Sequence, residues 1–160
     1  MGYWGYKGLE SDDGLDIRDF TLGKNIPENC EFKLSEILTL MKKEGDLKDF
    51  NDEGIQISYD TYVIALVELF FMFNDNGKFD FGATDEKDSC YKLNGIKKFT
   101  ADKKSLQFLH EYLVNIKNDI YENKKNHEII EAIRDSELWD VWQSHLNELI
   151  KRLEKEINNI

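Results

Sequence analysis

The segment Tyr59–Phe73, YDTYVIALVELFFMF, would place apolar side chains on nearly every side of a helix, with the carboxylate of Glu68 among them. A helix that is apolar all round is typical of a protein core. At about 1.5 Å per residue it spans ~22 Å, less than a bilayer requires. The pattern therefore predicts a central core helix over about residues 58–74, capped by Ser58, in which Glu68 reaches water along one weakly apolar stripe.

Apolar residues at spacings of three and four predict further helices on both sides of this one. Gly23 and Pro27 end the first of them, and Gly45 ends the second. We expect a mainly α fold: a compact bundle of five to six helices around the central helix, formed as a single domain over residues 1–160. The predicted flanking helices cover about 12–20, 28–43, 102–123, 129–133 and 136–158.

Two stretches lack helical periodicity. The opening MGYWGYKGL combines three glycines with Tyr3, Trp4 and Tyr6, which indicates an ordered segment packed on the domain. Residues 75–102 are rich in Asp, Gly, Lys and Asn and predict a long irregular loop. Within it, Lys78–Phe81 alternates enough for at most a short strand. A functional loop and a disordered loop both remain open for this stretch.

The charge balance restricts the class of partner. Lys and Arg number 21 against 32 Asp and Glu, a formal net charge of −11. Such a chain repels nucleic-acid phosphate and anionic lipid, so we expect no nucleic-acid or membrane ligand and a partner that is neutral or basic, possibly a basic protein. The connector after the second helix predicts an acidic face made of Glu44, Asp46, Asp49, Asp52 and Glu53.

The compartment follows from two further features. The opening has no basic region followed by an apolar one, so no secretory signal is predicted and the cytoplasm is the expected location. Cys30 and Cys90 are far apart in the sequence and belong to no metal-binding spacing. Free, buried thiols in a reducing compartment fit them best.

Known catalytic and metal-binding motifs find no match, and we predict no catalytic residue, no metal and no cofactor. An EF-hand with Gly77 at its sixth position would begin at Met72, which cannot bind calcium. His127 and Glu131, four apart, have the spacing of two metal ligands, but without a third ligand nearby a solvated helix face is favoured. His110 and His145 are predicted to lie on helix surfaces or interfaces.

Paired carboxylates are the strongest candidate chemistry. Asp12, Asp13 and Asp16 meet Glu68 if the N-terminal segment packs on the central helix, and two carboxylates in different environments can serve as acid and base. The favoured interpretation is structural: the aspartates, with Ser11, cap a short helix, and Glu68 accepts buried hydrogen bonds.

The tryptophans admit a binding role too. Trp4 belongs with the carboxylates as a candidate binding or structural residue. Trp142 lies on the apolar seam of the last helix and is predicted to be core, and Trp139 is the better exposed of that pair.

Three patches of the sequence resemble a family of small bacterial proteins of unknown function. Its members open with a pattern similar to MG-x-WG followed by N-D-D-A-x-D-W, as residues 1–5 and 10–16 do here. Residues 65–68 resemble the family's A-E-V-V-A helix, and residues 135–142 its N-S-E-L-x-x-L-W. This chain departs at Gly14, Ile17, Asp135 and a longer loop after Asn74. The matching positions are Gly2, Trp4, Gly5, Asp12, Asp13, Asp16, Glu68, Ser136, Glu137, Leu138 and Trp142.

The resemblance implies a helical bacterial cytoplasmic protein and no particular activity. The charge and the candidate residues of the chain itself lead to three hypotheses for its function. The first is a non-enzymatic acidic module, immunity- or antitoxin-like, that caps a basic protein. The second is a small-ligand-binding protein or enzyme with a carboxylate site, Glu68 and Asp16, under the N-terminal segment. The third is a nucleic-acid mimic that blocks a nucleic-acid-binding protein, with an acidic stripe over residues 44–53.

Overall fold

The computed structural model describes residues 3–49 and 53–160. Asp52 of the predicted acidic face, and the Met1-Gly2 start of the family-like opening, lie outside the described residues. Within those ranges the chain forms six α-helices and one two-stranded parallel sheet, so the prediction of a mainly α fold is confirmed. The elements are α1 Asp12–Asp16, β1 Glu31–Lys33, α2 Leu34–Glu44, α3 Ile57–Asn76, β2 Lys98–Thr100, α4 Lys103–Glu122, α5 Glu128–Arg134 and α6 Trp139–Asn158.

Helix α3 is the predicted central helix. Every residue from Val63 to Phe71 is buried. The helix begins at Ile57, so the predicted cap at Ser58 is wrong, and it ends at Gly77, whose positive φ of 70° suits glycine. Its 20 residues extend about 30 Å, enough by length and composition to cross a membrane. Its burial inside the protein, rather than its length, is what fits a core helix of a soluble protein.

Helices α4 and α6 pack against each other beside α3, and their apolar seams are the ones that periodicity predicts. Asp102 caps the start of α4, because its carboxylate accepts a hydrogen bond from the Ser105 amide at 3.0 Å. The completely or almost completely buried seam residues are Leu106, Leu109, Leu113, Ile116, Trp142, Leu146, Leu149 and Leu153.

The predicted helix over residues 28–43 starts too early. Residues 31–33 form β1, which pairs in parallel with β2, so that Phe32 lies opposite Phe99. The two rings are 5.7 Å apart and both are buried. The pairing joins residues more than sixty positions apart, and this long-range contact outweighs the local helical periodicity.

The predicted irregular loop over 75–102 is only partly irregular. A 3₁₀ turn at Tyr91–Gly95 and the strand β2 lie within it. Residues 78–81, predicted to form at most a short strand, form none: there, Phe79 is buried against Phe73 and stacks on Phe81. Aromatic side chains therefore attach this segment to the core although its backbone has little regular structure.

Candidate functional site

The carboxylate of Glu68 binds the N-terminal segment to α3. Its two oxygens accept hydrogen bonds from the backbone amides of Gly8 and Leu9, each at 2.8 Å. The ring Nε2 of His145, on α6, lies 2.7 Å from the same carboxylate. The Glu68 side chain is only 6% exposed. Backbone N–H groups and a histidine thus satisfy a charge that would be costly to bury alone.

The described part of the N-terminal segment contacts α3, which agrees with the prediction of an ordered segment packed on the domain. Tyr3 pairs with Ser11 through backbone contacts, and its hydroxyl is hydrogen-bonded to Thr61 of α3. Burial raises the pKa of the Tyr3 hydroxyl strongly. The backbone of Gly8 comes so close to α3 that a Cβ there would lie 2.8 Å from the Ala65 nitrogen. This contact requires glycine.

The predicted carboxylates divide between two places. Ser11 caps α1 by accepting from the Gly14 amide at 3.0 Å, with Asp12 and Asp13 in the first turn. Burial, and then the charges of Asp13, Asp12 and Asp19, raise the pKa of Asp16. Glu68 is instead engaged with backbone and His145. This arrangement matches the structural interpretation of Glu68 as a hydrogen-bond acceptor.

Acidic residues from two separate segments converge around Tyr62 on α3. Burial and the negative charges of Asp13, Asp46 and Asp16 raise the pKa of its hydroxyl. Burial and the charge of Glu44 also raise the pKa of Asp46. Charges from α1 and from the segment that follows α2 therefore both act on Tyr62. From here on, we use the name acidic face for Asp12, Asp13, Asp16, Glu44 and Asp46. This set shares only Glu44 and Asp46 with the face that the sequence predicts.

The rest of the predicted acidic connector is mixed in charge. Asp49 and Glu53 are exposed. Lys48 lies over the ring of Tyr59 at 5.6 Å, and these two residues line a cavity of about 400 Å³ together with Glu53. A lysine between the acidic positions weakens a continuous stripe over residues 44–53.

A buried polar cluster that sequence reasoning missed joins α3, α4 and the start of α5. Asp60 accepts a hydrogen bond from the Tyr112 hydroxyl at 2.6 Å, and its other oxygen lies 2.8 Å from Nδ1 of His127. The Nε2 of His127 lies 2.6 Å from the side-chain oxygen of Asn115. The prediction of a solvated face for His127 is wrong, because its side chain is 0% exposed.

Asp119 extends this cluster on the other side of His127. One of its oxygens accepts from the backbone amides of Asn126 and His127, at 3.1 and 3.0 Å. Its other oxygen is buried and has no hydrogen-bond partner among the described residues. The sequence signal was available: Asp60, like Glu68, is a carboxylate in the largely apolar segment Tyr59–Phe73, and such a group needs a partner if it is buried.

Each of the three histidines pairs with a carboxylate on another element. His110 of α4 lies 3.1 Å from Glu154 of α6, at a cavity of about 330 Å³. His145 bridges α6 to α3, and His127 is buried. Among the described residues, no three His, Cys, Asp or Glu side chains come together as metal ligands.

The tryptophans differ in exposure. Trp4 is 58% exposed, whereas Trp142 is 1% exposed, as its seam position predicts. Trp139 is half-buried: it stacks on Trp142, and the guanidinium of Arg134 lies 5.5 Å from its ring. Of five cavities on the described surface, one of about 510 Å³ is lined by Asp19, Lys24 and Lys87 among others. Neither Glu68 nor Trp4 lines any of these five.

Comparison of the chain with protein-family models, with curated proteins and with solved structures gave no match. The resemblance to a small bacterial family therefore stays a prediction, and the function is argued from this chain's own residues.

Proposed function

We propose that the protein is a non-enzymatic binding module, of an immunity- or antitoxin-like kind, that binds a basic protein through the acidic face. The observation that supports this best is the convergence of Asp13, Asp16 and Asp46 around Tyr62. Burial and neighbouring carboxylates raise the pKa of Asp13, Asp16 and Asp46, and a cationic partner would relieve that repulsion. We further propose a cytoplasmic location.

The overall charge supports the same function. A net charge of −11 produces a long-range field that attracts basic partners and speeds their encounter. The acidic face concentrates part of that negative charge at one place. Its tyrosine, Tyr62, is half-buried and lies among the carboxylates, an arrangement that suits contact with a lysine or arginine side chain.

Enzymatic use of Glu68 has less support. Both oxygens of Glu68 are occupied by the Gly8 and Leu9 amides and by His145, and none of the five cavities described above reaches it. Asp16, its proposed companion, belongs to the acidic face. A carboxylate that is satisfied by the protein's own backbone is better suited to holding a segment than to acting on a substrate.

A nucleic-acid mimic is a special case of the proposed function, in which the basic surface of the partner is itself a nucleic-acid-binding site. The acidic face, rather than a stripe over residues 44–53, would then imitate phosphates. Competition between this protein and a short DNA or RNA duplex for the captured partner distinguishes this case from a partner that does not bind nucleic acid.

The test compares two variants with equal charge changes. The first, Asp13→Asn/Asp16→Asn/Asp46→Asn, removes three of the five negative charges of the acidic face. The matched control, Glu111→Gln/Asp140→Asn/Glu148→Gln, removes three exposed charges elsewhere. The tagged proteins are used for capture from lysate of the source cell at low and high salt, and the captured protein is then purified for association-rate measurements.

We expect one stoichiometric basic protein, released at high salt, whose association rate falls roughly tenfold with the acidic-face variant and much less with the control. An equal fall in the association rate with both variants would show that binding depends on the net charge of the protein and not on the acidic face. Capture of nothing by the wild type at either salt concentration would overturn the proposal.

A further inference from the structure

We propose that Asp60 and His127 hold one proton between them, and that this pair is a pH-dependent latch that fixes the segment between α4 and α5, together with Ile55, to α3. The inference is independent of the proposed binding function. It rests on the hydrogen-bond geometry of the buried cluster and on what the backbone around His127 contacts.

The first step concerns the number of protons. Nε2 of His127 faces the side-chain oxygen of Asn115 at 2.6 Å, so this nitrogen must donate and carries a proton. Nδ1 lies 2.8 Å from Oδ2 of Asp60, and this contact needs a second proton, on either atom. The other Asp60 oxygen accepts from Tyr112. If the second proton is on His127, the two residues form an ion pair, and if it is on Asp60, they form a neutral pair. Both states thus contain the same two protons.

The surroundings favour retaining that proton. Without it, a buried carboxylate would face a nitrogen lone pair. Asp119 of α4 adds a second negative charge close to Asp60, and Tyr3 approaches Asp60 from the N-terminal segment. Burial raises the pKa of Asp60 more than the hydrogen bond and charge of His127 lower it.

The charged groups farther from the pair are solvated. Lys124, which follows α4, interacts with Asp119 and Glu122 and is exposed. The charged residues of α5 lie outside the cluster: Glu128 and Glu131 are exposed, and Arg134 pairs with Glu131. These charges therefore lie on the solvent side of the cluster, whereas the shared proton lies on its buried side.

The second step concerns what the pair holds in place. Asn123, which ends α4, and Lys125 have positive φ values of 52° and 60°. Asparagine tolerates this conformation, but the side chain of Lys125 disfavours it. Such a backbone persists only where its surroundings impose it. His127 supplies much of that restraint, because its backbone is bound to Asp119 and its side chain to Asp60.

Ile55 is attached to the same segment. Its amide donates to the carbonyl of Asn126 at 2.6 Å, and its carbonyl accepts from the amide of Glu128 at 3.0 Å. Ile55 is 2% exposed and lies just before α3. Release of His127 therefore also releases the end of the connector that runs from α2 to α3.

The sign of the pH dependence follows from proton counting. An unfolded chain gives up its histidine proton near pH 6.5 and its aspartate proton near pH 3.9. Above about pH 6.5 the folded pair then holds one more proton than the unfolded chain. The unfolding equilibrium constant rises up to tenfold per pH unit in that range, until the folded pair loses its proton.

The first experiment needs only the wild-type protein. Nitrogen-15 NMR of the histidine rings at pH 7 to 8 is expected to show His127 with a proton on Nε2 and a hydrogen-bonded proton at Nδ1. A His127 ring with an unprotonated Nε2, which accepts a hydrogen bond from the Asn115 amide, would overturn the proposal.

The second experiment measures the latch. Urea unfolding from pH 6.5 to 8.5 is compared for wild type, Asp60→Asn and the control His110→Gln, which removes the partly exposed pair with Glu154. In Asp60→Asn, the unfolding equilibrium constant is expected to lose the pH dependence that one proton produces, which is up to tenfold per pH unit. His110→Gln is expected to keep it. Equal pH dependence in wild type and Asp60→Asn would contradict the latch.

Hydrogen exchange of the same proteins locates the effect. At matched pH, the amides of Ile55, Asn126, His127 and Glu128 are expected to exchange at least tenfold faster in Asp60→Asn than in wild type, while amides in the middle of α6 keep their protection. A uniform loss of protection across both regions would show general destabilisation and not a local latch. Should Asp60→Asn fail to fold, the ring-nitrogen measurement decides alone.

Discussion

Glu68 of α3 and His145 of α6 lie 2.7 Å apart, and the same carboxylate also accepts the backbone amides of Gly8 and Leu9. One side chain therefore joins two helices and the N-terminal segment. The ring of Tyr6 packs edge-on against His145 at 5.2 Å and covers this junction. The stability of the N-terminal segment should depend on Glu68 more than on any of its own side chains.

Replacing Glu68 by alanine should lower the free energy of unfolding by about 2–4 kcal/mol, because the amides of Gly8 and Leu9 and a histidine lose their acceptor. Urea denaturation measures the loss, and limited proteolysis should show faster cleavage before Ser11. The matched control is Glu154→Ala, which removes the partly exposed partner of His110 and should cost less than about 1 kcal/mol. Equal costs for the two variants would contradict the role assigned to Glu68.

Gly14 should not tolerate alanine, although the resembling family has alanine at this position. A Cβ on Gly14 would overlap the carbonyl oxygen of Gly8. We expect Gly14→Ala to cost about 1–3 kcal/mol, since the N-terminal segment must move away from α1. Gly95→Ala is the control, because a Cβ there has nothing within 4 Å. A neutral Gly14→Ala variant in thermal denaturation would argue against the close contact of α1 and the segment.

The aromatic cluster around the small sheet should be sensitive to Phe99. Its ring lies within 5.2–6.3 Å of the rings of Phe32, Phe70, Phe73 and Phe79. Phe99→Ala should lower the free energy of unfolding by about 3–5 kcal/mol through the cavity it leaves. Tyr121→Ala, at a side chain 71% exposed, should change it by less than about 0.5 kcal/mol. A small effect of Phe99→Ala would mean that residues 77–101 are not part of the core.

The cap of α4 should weaken at low pH. Hydrogen bonds from the side chain and amide of Ser105 lower the pKa of Asp102. Because the folded pKa lies below the unfolded one, the stabilisation is complete above about pH 4 and is lost as pH falls through the folded value. Asp102→Ala should cost about 1 kcal/mol at pH 7.

Urea unfolding of wild type and Asp102→Ala from pH 2 to pH 7 tests this sign. The difference between the two proteins should shrink as the pH falls below about 4. A difference that stays constant over this range would show that the ionised carboxylate is not the stabilising group.

Hydrophobic periodicity was sufficient to predict most helices. The positions of α3, α4 and α6 and the burial of Trp142 follow from apolar spacings of three and four, which any amphipathic or buried helix must show. The β-strand at residues 31–33 was not predictable in this way. A three-residue strand exists only because β2 lies beside it, and no pattern within either segment records that pairing.

The candidate sites show the same division. The sequence by itself marked Glu68, Asp12, Asp13 and Asp16 as carboxylates that need an explanation, because charge in an apolar helix and clustered acids are both unusual. Only the tertiary structure decided that Glu68 binds backbone amides, that Asp46 joins the acidic face, and that His127 is buried against Asp60. Hydrogen bonds between distant segments depend on the packing of whole helices, whereas periodicity reports only which side of each helix faces the core.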